Sequence, residues 1–148
     1  MAELYLEDFT PGQIFRSGRL VVTAEAIIAY AREYDPQPFH LDDAAAQGTL
    51  FGGLAASGWH TASLTMKLLV GSEFRPVGGI IGGGMEELAW PRPVRPGDEL
   101  RLEIEVLEVR PSQSKPRQGM LRTRCTTLNQ RDEPVQVIVP RLVVPRRG

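Results

Sequence analysis

Apolar and polar positions recur with two different periods along this chain, one in each half. The first half carries the helical period. Between Thr23 and Tyr34, the residues Ala24, Ile27, Ala31 and Tyr34 recur at helical spacing, with Thr23 as an N-cap and Glu25 in the first turn. Pro36 ends that helix, because a residue preceding proline is pushed out of the α region. Asp42 or Asp43 then caps a short turn through Ala44, Ala45 and Ala46, closed by Gly48. A loop of small residues, Gly52 to Gly58, leads into a second helical stretch from about Ser57 to Val70. There Trp59, Ala62, Ser63, Met66, Leu69 and Val70 occupy one broad face, Leu64 and Leu68 widen it, and Lys67 is the only charge. A helix apolar nearly all round is a buried one. Something must wrap it.

The second half supplies the wrapper. Leu100, Leu102, Ile104 and Val106 alternate with Arg101, Glu103 and Glu105, the period of two that marks a half-buried strand. Pro96-Gly97-Asp98 turns the chain into it. Met120 to Leu128 and Val135 to Val144 predict two more strands joined by polar Asn129 to Glu133. Ile80-Ile81 through Trp90 gives another, loosened by Gly82-Gly83-Gly84, which would let strand backbones pack tightly on the helix. Pro140 predicts an edge position or a bulge, since proline donates nothing to the ladder. The expected fold class is α+β, a long antiparallel sheet wrapped around one buried helix.

Composition narrows the class further. The 148 residues fit one domain, 1–148, with no internal repeat or low-complexity linker. With 42% hydrophobic and 24% charged residues the chain reads as soluble and globular. A net charge of −1 gives no drive toward nucleic acid or an anionic membrane. No apolar run approaches the roughly 20 residues that span a bilayer. Met1 to Phe9 carries three acids and no base, which predicts no secretory signal, and the single cysteine, Cys125, fits a reducing compartment. A cytoplasmic location is expected.

The chemistry concentrates in Asp35-Pro36-Gln37-Pro38-Phe39-His40. A carboxylate and an imidazole stand five residues apart with two prolines stiffening the backbone between them. Asp35 lies at the negative end of the first helix, which disfavours a carboxylate by roughly 0.3–1 kcal/mol. A strained acid beside a proton partner is a candidate general base, while the same six residues also fit a plain turn capped by His40.

This constellation resembles the MaoC-like dehydratases, which include the (R)-specific enoyl-CoA hydratases. Their motif is approximately Asp-x-Asn-Pro-aliphatic-His, followed by a glycine that opens the central helix. Here those positions are Asp35, Gln37, Pro38, Phe39, His40 and, after an Ala/Gly-rich spacer, Ser57-Gly58. The likeness runs along nearly the whole chain. It implies the hot-dog fold, a homodimer or dimer-built oligomer, and acyl thioesters of coenzyme A or acyl carrier protein as substrates, with no cofactor beyond the thioester. Gln37 replaces the usual Asn, Phe39 a smaller aliphatic residue, and Ser57 stands where many relatives carry His.

On this reading Asp35 and His40 are catalytic, sharing one water that adds to C3 of an enoyl thioester. Apolar surroundings at Phe39 and Trp59 would raise the basicity of Asp35. The Gly58 N–H, at a helix N-terminus, would receive the thioester oxygen, with Ser57, Gln37, Phe39 and Trp59 as further substrate contacts. Ser57 also suits the helix cap. His60 is expected as a satisfied core residue and Cys125 as a small core hydrophobe. Two histidines and one cysteine form no metal-ligand pattern, and Gly78 to Gly84 matches neither a dinucleotide fingerprint nor a P-loop. Arg92, Arg95 and Lys115 are expected on a solvated surface, within reach of carrier phosphates at most. Two alternatives stand beside hydration: a hot-dog thioesterase, whose acid would normally sit on the buried helix, and a non-catalytic acyl-binding dimerisation subunit. The helix between Ser57 and Val70 has no acid.

Overall fold

The structure, a computed structural model, describes residues 2–148. Five strands form one antiparallel sheet: β1 (Ile14–Val21), β2 (Ile81–Ala89), β3 (Glu99–Pro111), β4 (Gln118–Leu128) and β5 (Pro134–Pro145), in the order β1-β3-β4-β5-β2. Among the described residues, a 3-10 turn at Leu6–Asp8 and four α-helices precede β2: α1 (Ala24–Tyr34), α2 (Pro38–Leu41), α3 (Asp43–Ala46) and α4 (Gly58–Val70). Leu100, Leu102, Ile104 and Val106 of β3 are buried, and the residues between them are half-exposed, as the alternation requires. They share one core with Leu121, Cys125, Val135, Leu142 and Val144 of β4 and β5, and with Leu68 and Leu69 of α4.

Local chemistry sets the helix ends. Thr23 Oγ1 accepts the Ala26 N–H at 3.1 Å, and Ile27 and Ala31 bury one stripe of α1. Asp42 Oδ2 caps α3 through the Ala45 N–H at 3.0 Å. The Ser57 hydroxyl accepts the Trp59 N–H at 3.3 Å and opens α4. Between Asp35 and His40 the chain does more than loop. Pro38 takes the first position of α2, where its missing N–H costs nothing, and that single turn carries His40 back toward Asp35.

Several expectations need correction. β1 was not anticipated. Its alternation breaks at a bulge between Arg16 and Arg19, where the Ser17 hydroxyl accepts the Leu102 N–H at 2.8 Å. Of the two expectations for Pro140, the edge fails and the bulge holds: β5 lies between β4 and β2, and the extra residue falls on β2 opposite Pro140, between Met85 and Glu87. Gly82-Gly83-Gly84 does not press backbone onto the helix. A second bulge lies between Gly82 and Gly84, and both border an apolar cavity of about 350 Å³ with Met66 and Met85.

The buried side of α4 matches the expected one only at Leu68 and Leu69. His60, Thr61, Thr65, Leu68 and Leu69 face the core, whereas Trp59, Met66 and Val70 are exposed. Buried threonines are tolerated because each has a partner. Thr65 and Thr127 share a hydrogen bond at 2.6 Å, Thr65 also accepts from Gln136 Nε2 at 2.9 Å, and Thr61 reaches the Ser57 carbonyl. The apolar positions of α4 thus serve two surfaces, one of which this chain leaves open.

Candidate active site

Asp35 ends α1 with its own N–H on the Ala31 carbonyl, and α2 brings His40 Nε2 to 3.3 Å from Asp35 Oδ2. The imidazole is buried, with 5% of its side chain exposed, while the carboxylate keeps 18%. His40 Nδ1 lies 2.6 Å from the Ala55 carbonyl, an acceptor that holds a proton on Nδ1. Nε2 of a neutral ring then faces a carboxylate oxygen with its lone pair, so a proton donor must complete the pair. A water donating toward both is chemically suited to that place.

Gln37, Ser57 and the imidazole set the charge of Asp35. Burial pushes its carboxyl upward, but the Gln37 amide, the Ser57 hydroxyl and the nearby imidazole together hold it below the ordinary value. Gln37 Nε2 donates to Asp35 Oδ1 at 2.5 Å. The expected rise in basicity is therefore reversed: Asp35 is an ionised acceptor at neutral pH. Ser57 is both helix cap and neighbour of the carboxylate.

A cavity of about 320 Å³ opens on the His40 side of the pair, lined by His40, Phe51, Gly58, Thr61, Trp90 and Arg92 among others. Gly58 sits at its edge, at the first position of α4, where an N–H has no acceptor in the preceding turn. Its bare Cα lies against the Trp90 indole, and a Cβ there would stand 2.6 Å from Cε2. What approaches this glycine closely is a side chain of the same protein. Phe39 and Trp59 do not line the cavity. Phe39 packs behind His40 and Phe51, with ring centroids 4.6 and 4.9 Å apart, and Trp59 is 57% exposed, meeting Trp90 edge-on. Gln37 is exposed and acts on the carboxylate instead.

Other residues also depart from expectation. Arg95 donates to the carbonyls of Phe51, Gly53 and Leu54, so it fastens the loop before α4 rather than facing solvent. Arg92 is exposed, as expected, its Nε 3.6 Å from Glu133, and it also borders the cavity. His60 is buried against Tyr30, ring centroids 4.7 Å apart and nearly parallel, but its Nδ1 has no hydrogen-bond partner among the described residues. It is not the satisfied core histidine expected. Burial lowers its basicity. Cys125 is the core residue anticipated, its thiol pushed up to about 11 by burial.

Ala55, Trp90 and Thr61 escaped sequence reasoning. A backbone carbonyl leaves no residue-type signal, and Trp90 reaches the site only because β2 folds back beside α4. The MaoC like domain family model matches residues 8–128 of this chain. The chain belongs to the MaoC-like domain family.

This MaoC-like protein is 35% identical to the uncharacterized protein YdeM of Bacillus subtilis (strain 168) over 127 residues, 86% of this chain and 89% of YdeM. The MaoC-like dehydratase from Rhodospirillum rubrum superposes with a TM-score of 0.95 at 54% identity, covering 98% of this chain and 99% of that one. The (R)-hydratase from A. caviae involved in PHA biosynthesis gives 0.67 at 29% identity, over 95% of this chain and 99% of that one. The sheet and helix form the hot-dog fold of these neighbours. Family and neighbours together support a hydratase or dehydratase. Among the described residues, no helix is long and apolar enough to cross a membrane.

Proposed function

We propose that this MaoC-like protein is a hydro-lyase interconverting trans-2-enoyl and (R)-3-hydroxyacyl thioesters of coenzyme A or acyl carrier protein, within fatty acid metabolism. The observation that carries the reading is the pair Asp35 Oδ2 and His40 Nε2, 3.3 Å apart beside a cavity that also touches the start of α4. Water held between two acceptors loses a proton to one of them as its oxygen bonds to C3. The π electrons of the C2–C3 bond move toward the thioester oxygen, and C2 then takes the proton back from the pair as the carbonyl is restored. Negative charge developing on that oxygen falls to the Gly58 N–H, at the positive end of α4. The likeness to the (R)-hydratase supports the stereochemical assignment. No cofactor enters: the thioester supplies the activation and the two side chains move the protons.

Crotonyl-CoA and longer enoyl-CoAs, followed by loss of their conjugated absorbance, test the activity. Asp35→Asn and His40→Gln should each lower turnover by about 10²–10⁴-fold, and wild-type rates in both variants would remove the reading. Release of free thiol from saturated acyl-CoA would indicate a thioesterase, which the absence of an acid on α4 disfavours.

A homodimer is part of the same proposal. Trp59, Met66 and Val70 of α4 stand exposed, as do Ile81 and Met85 on the edge strand β2. Apolar side chains gathered beside an unpaired strand edge mark an association surface, and a second copy fits them. Sedimentation of the purified chain at micromolar concentration should show a dimer.

A further inference from the structure

The Trp90 indole has an anchorage that the hydration chemistry does not require. Its Nε1 donates to Gln136 Oε1 at 2.8 Å, and Gln136 is completely buried in β5. Gln136 Nε2 donates to Thr65 on α4, and Thr65 is bonded to Thr127 on β4. A buried amide is stable only with its partners in place, so turning the indole away would leave Gln136 Oε1 unsatisfied. On one side the ring lies on Gly58, and on another it meets the edge of Trp59 at 5.4 Å between centroids. Three elements therefore fix a flat apolar plate in the cavity that holds His40. A chain seated with its thioester oxygen at the Gly58 N–H would meet this plate, which packs on the same glycine, within a few carbons.

We propose that Trp90 is the specificity-determining wall of the site and Gln136 its positioning residue, restricting the protein to short acyl thioesters. The inference rests on the hydratase reading and adds its substrate class. An acyl group of a few carbons lies beside the indole, while a longer tail requires the ring to move and the Gln136 bond to break. The site rejects length through a held ring, not through a general lack of space.

The test pairs turnover with binding. Crotonyl-CoA and trans-2-octenoyl-CoA are assayed with wild type, Trp90→Ala and Gln136→Leu, and Kd values for butyryl-CoA and octanoyl-CoA are taken by calorimetry. Wild type should favour the short enoyl-CoA in kcat/KM by about tenfold or more, on the scale that a few methylenes carry in a shaped pocket. Trp90→Ala should erase the preference, and Gln136→Leu should weaken it mainly through KM for the long substrate. Trp90→Phe, which keeps a ring but donates no hydrogen bond, replaces Trp90→Ala if that variant does not fold. If no enoyl-CoA turns over but butyryl-CoA still binds more tightly than octanoyl-CoA in a Trp90-dependent way, the wall stands and the hydration reading fails. Equal handling of both lengths by wild type, a preference unchanged in the Trp90 variants, or no binding of either acyl-CoA overturns the proposal.

Discussion

His40 Nδ1 and the carbonyl oxygen of Ala55 are 2.6 Å apart, so the loop before α4 dictates which nitrogen of this buried imidazole carries a proton. The chain has only two histidines, which makes the consequence directly observable. Long-range ¹⁵N correlation spectra at neutral pH should show one ring in the Nδ1–H tautomer, the signal disappearing in His40→Gln. An Nε2–H tautomer for that ring would contradict the arrangement.

Gly58→Ala should be destabilising, because its methyl group enters the Trp90 indole. Overpacking of this kind costs about 1–3 kcal/mol, read as a lower urea midpoint. Combining it with Trp90→Ala should recover part of the loss, since the two sites share one contact. Additive losses in the double variant would show that the indole is not the obstacle.

Thr65→Val keeps the shape of α4 but removes the hydroxyl that serves both Gln136 and Thr127. Leaving buried polar groups unpaired costs about 1–3 kcal/mol. Chemical unfolding should register that loss, although the substitution adds apolar character to a buried position. A neutral or stabilising result would mean the hydroxyls are satisfied otherwise.

His60 makes stability depend on pH. Its folded-state basicity lies below that of a free imidazole, because burial penalises the imidazolium. The unfolded chain therefore binds a proton at a pH where the folded one does not, and stability falls as pH drops below about 6.5 toward the folded value. Above that range the contribution levels off. Unfolding free energies measured across this window should slope downward toward acid in the wild type. His60→Phe, which retains a ring against Tyr30, should flatten the slope.

How far the sequence foretells the structure depends on where each interaction is encoded. β3 was legible because Leu100 to Val106 alternate without interruption, and α1 because Thr23 and Pro36 bracket it. β1 was not, since Ser17 and Gly18 break its alternation at a bulge. On α4, apolar pattern finds the buried Leu68 and Leu69 but not Thr61 and Thr65, whose hydroxyls find partners only once helix and sheet come together. Asp35 and His40 were visible as a spacing. The lowered basicity of Asp35 was not, because burial, which acts the other way, is outweighed by hydrogen bonds from Gln37 and Ser57 that the spacing does not specify.

The two bulges in β2, at Gly83 and near Glu86, bear on more than local geometry. An extra residue on one side of a ladder bends and twists the strand, and a border distorted twice is a poor template for endless addition of further chains. Ile81 and Met85 can thus remain uncovered on a lone subunit without inviting fibrous growth. The kinks that make this border irregular also limit how many neighbours it will accept.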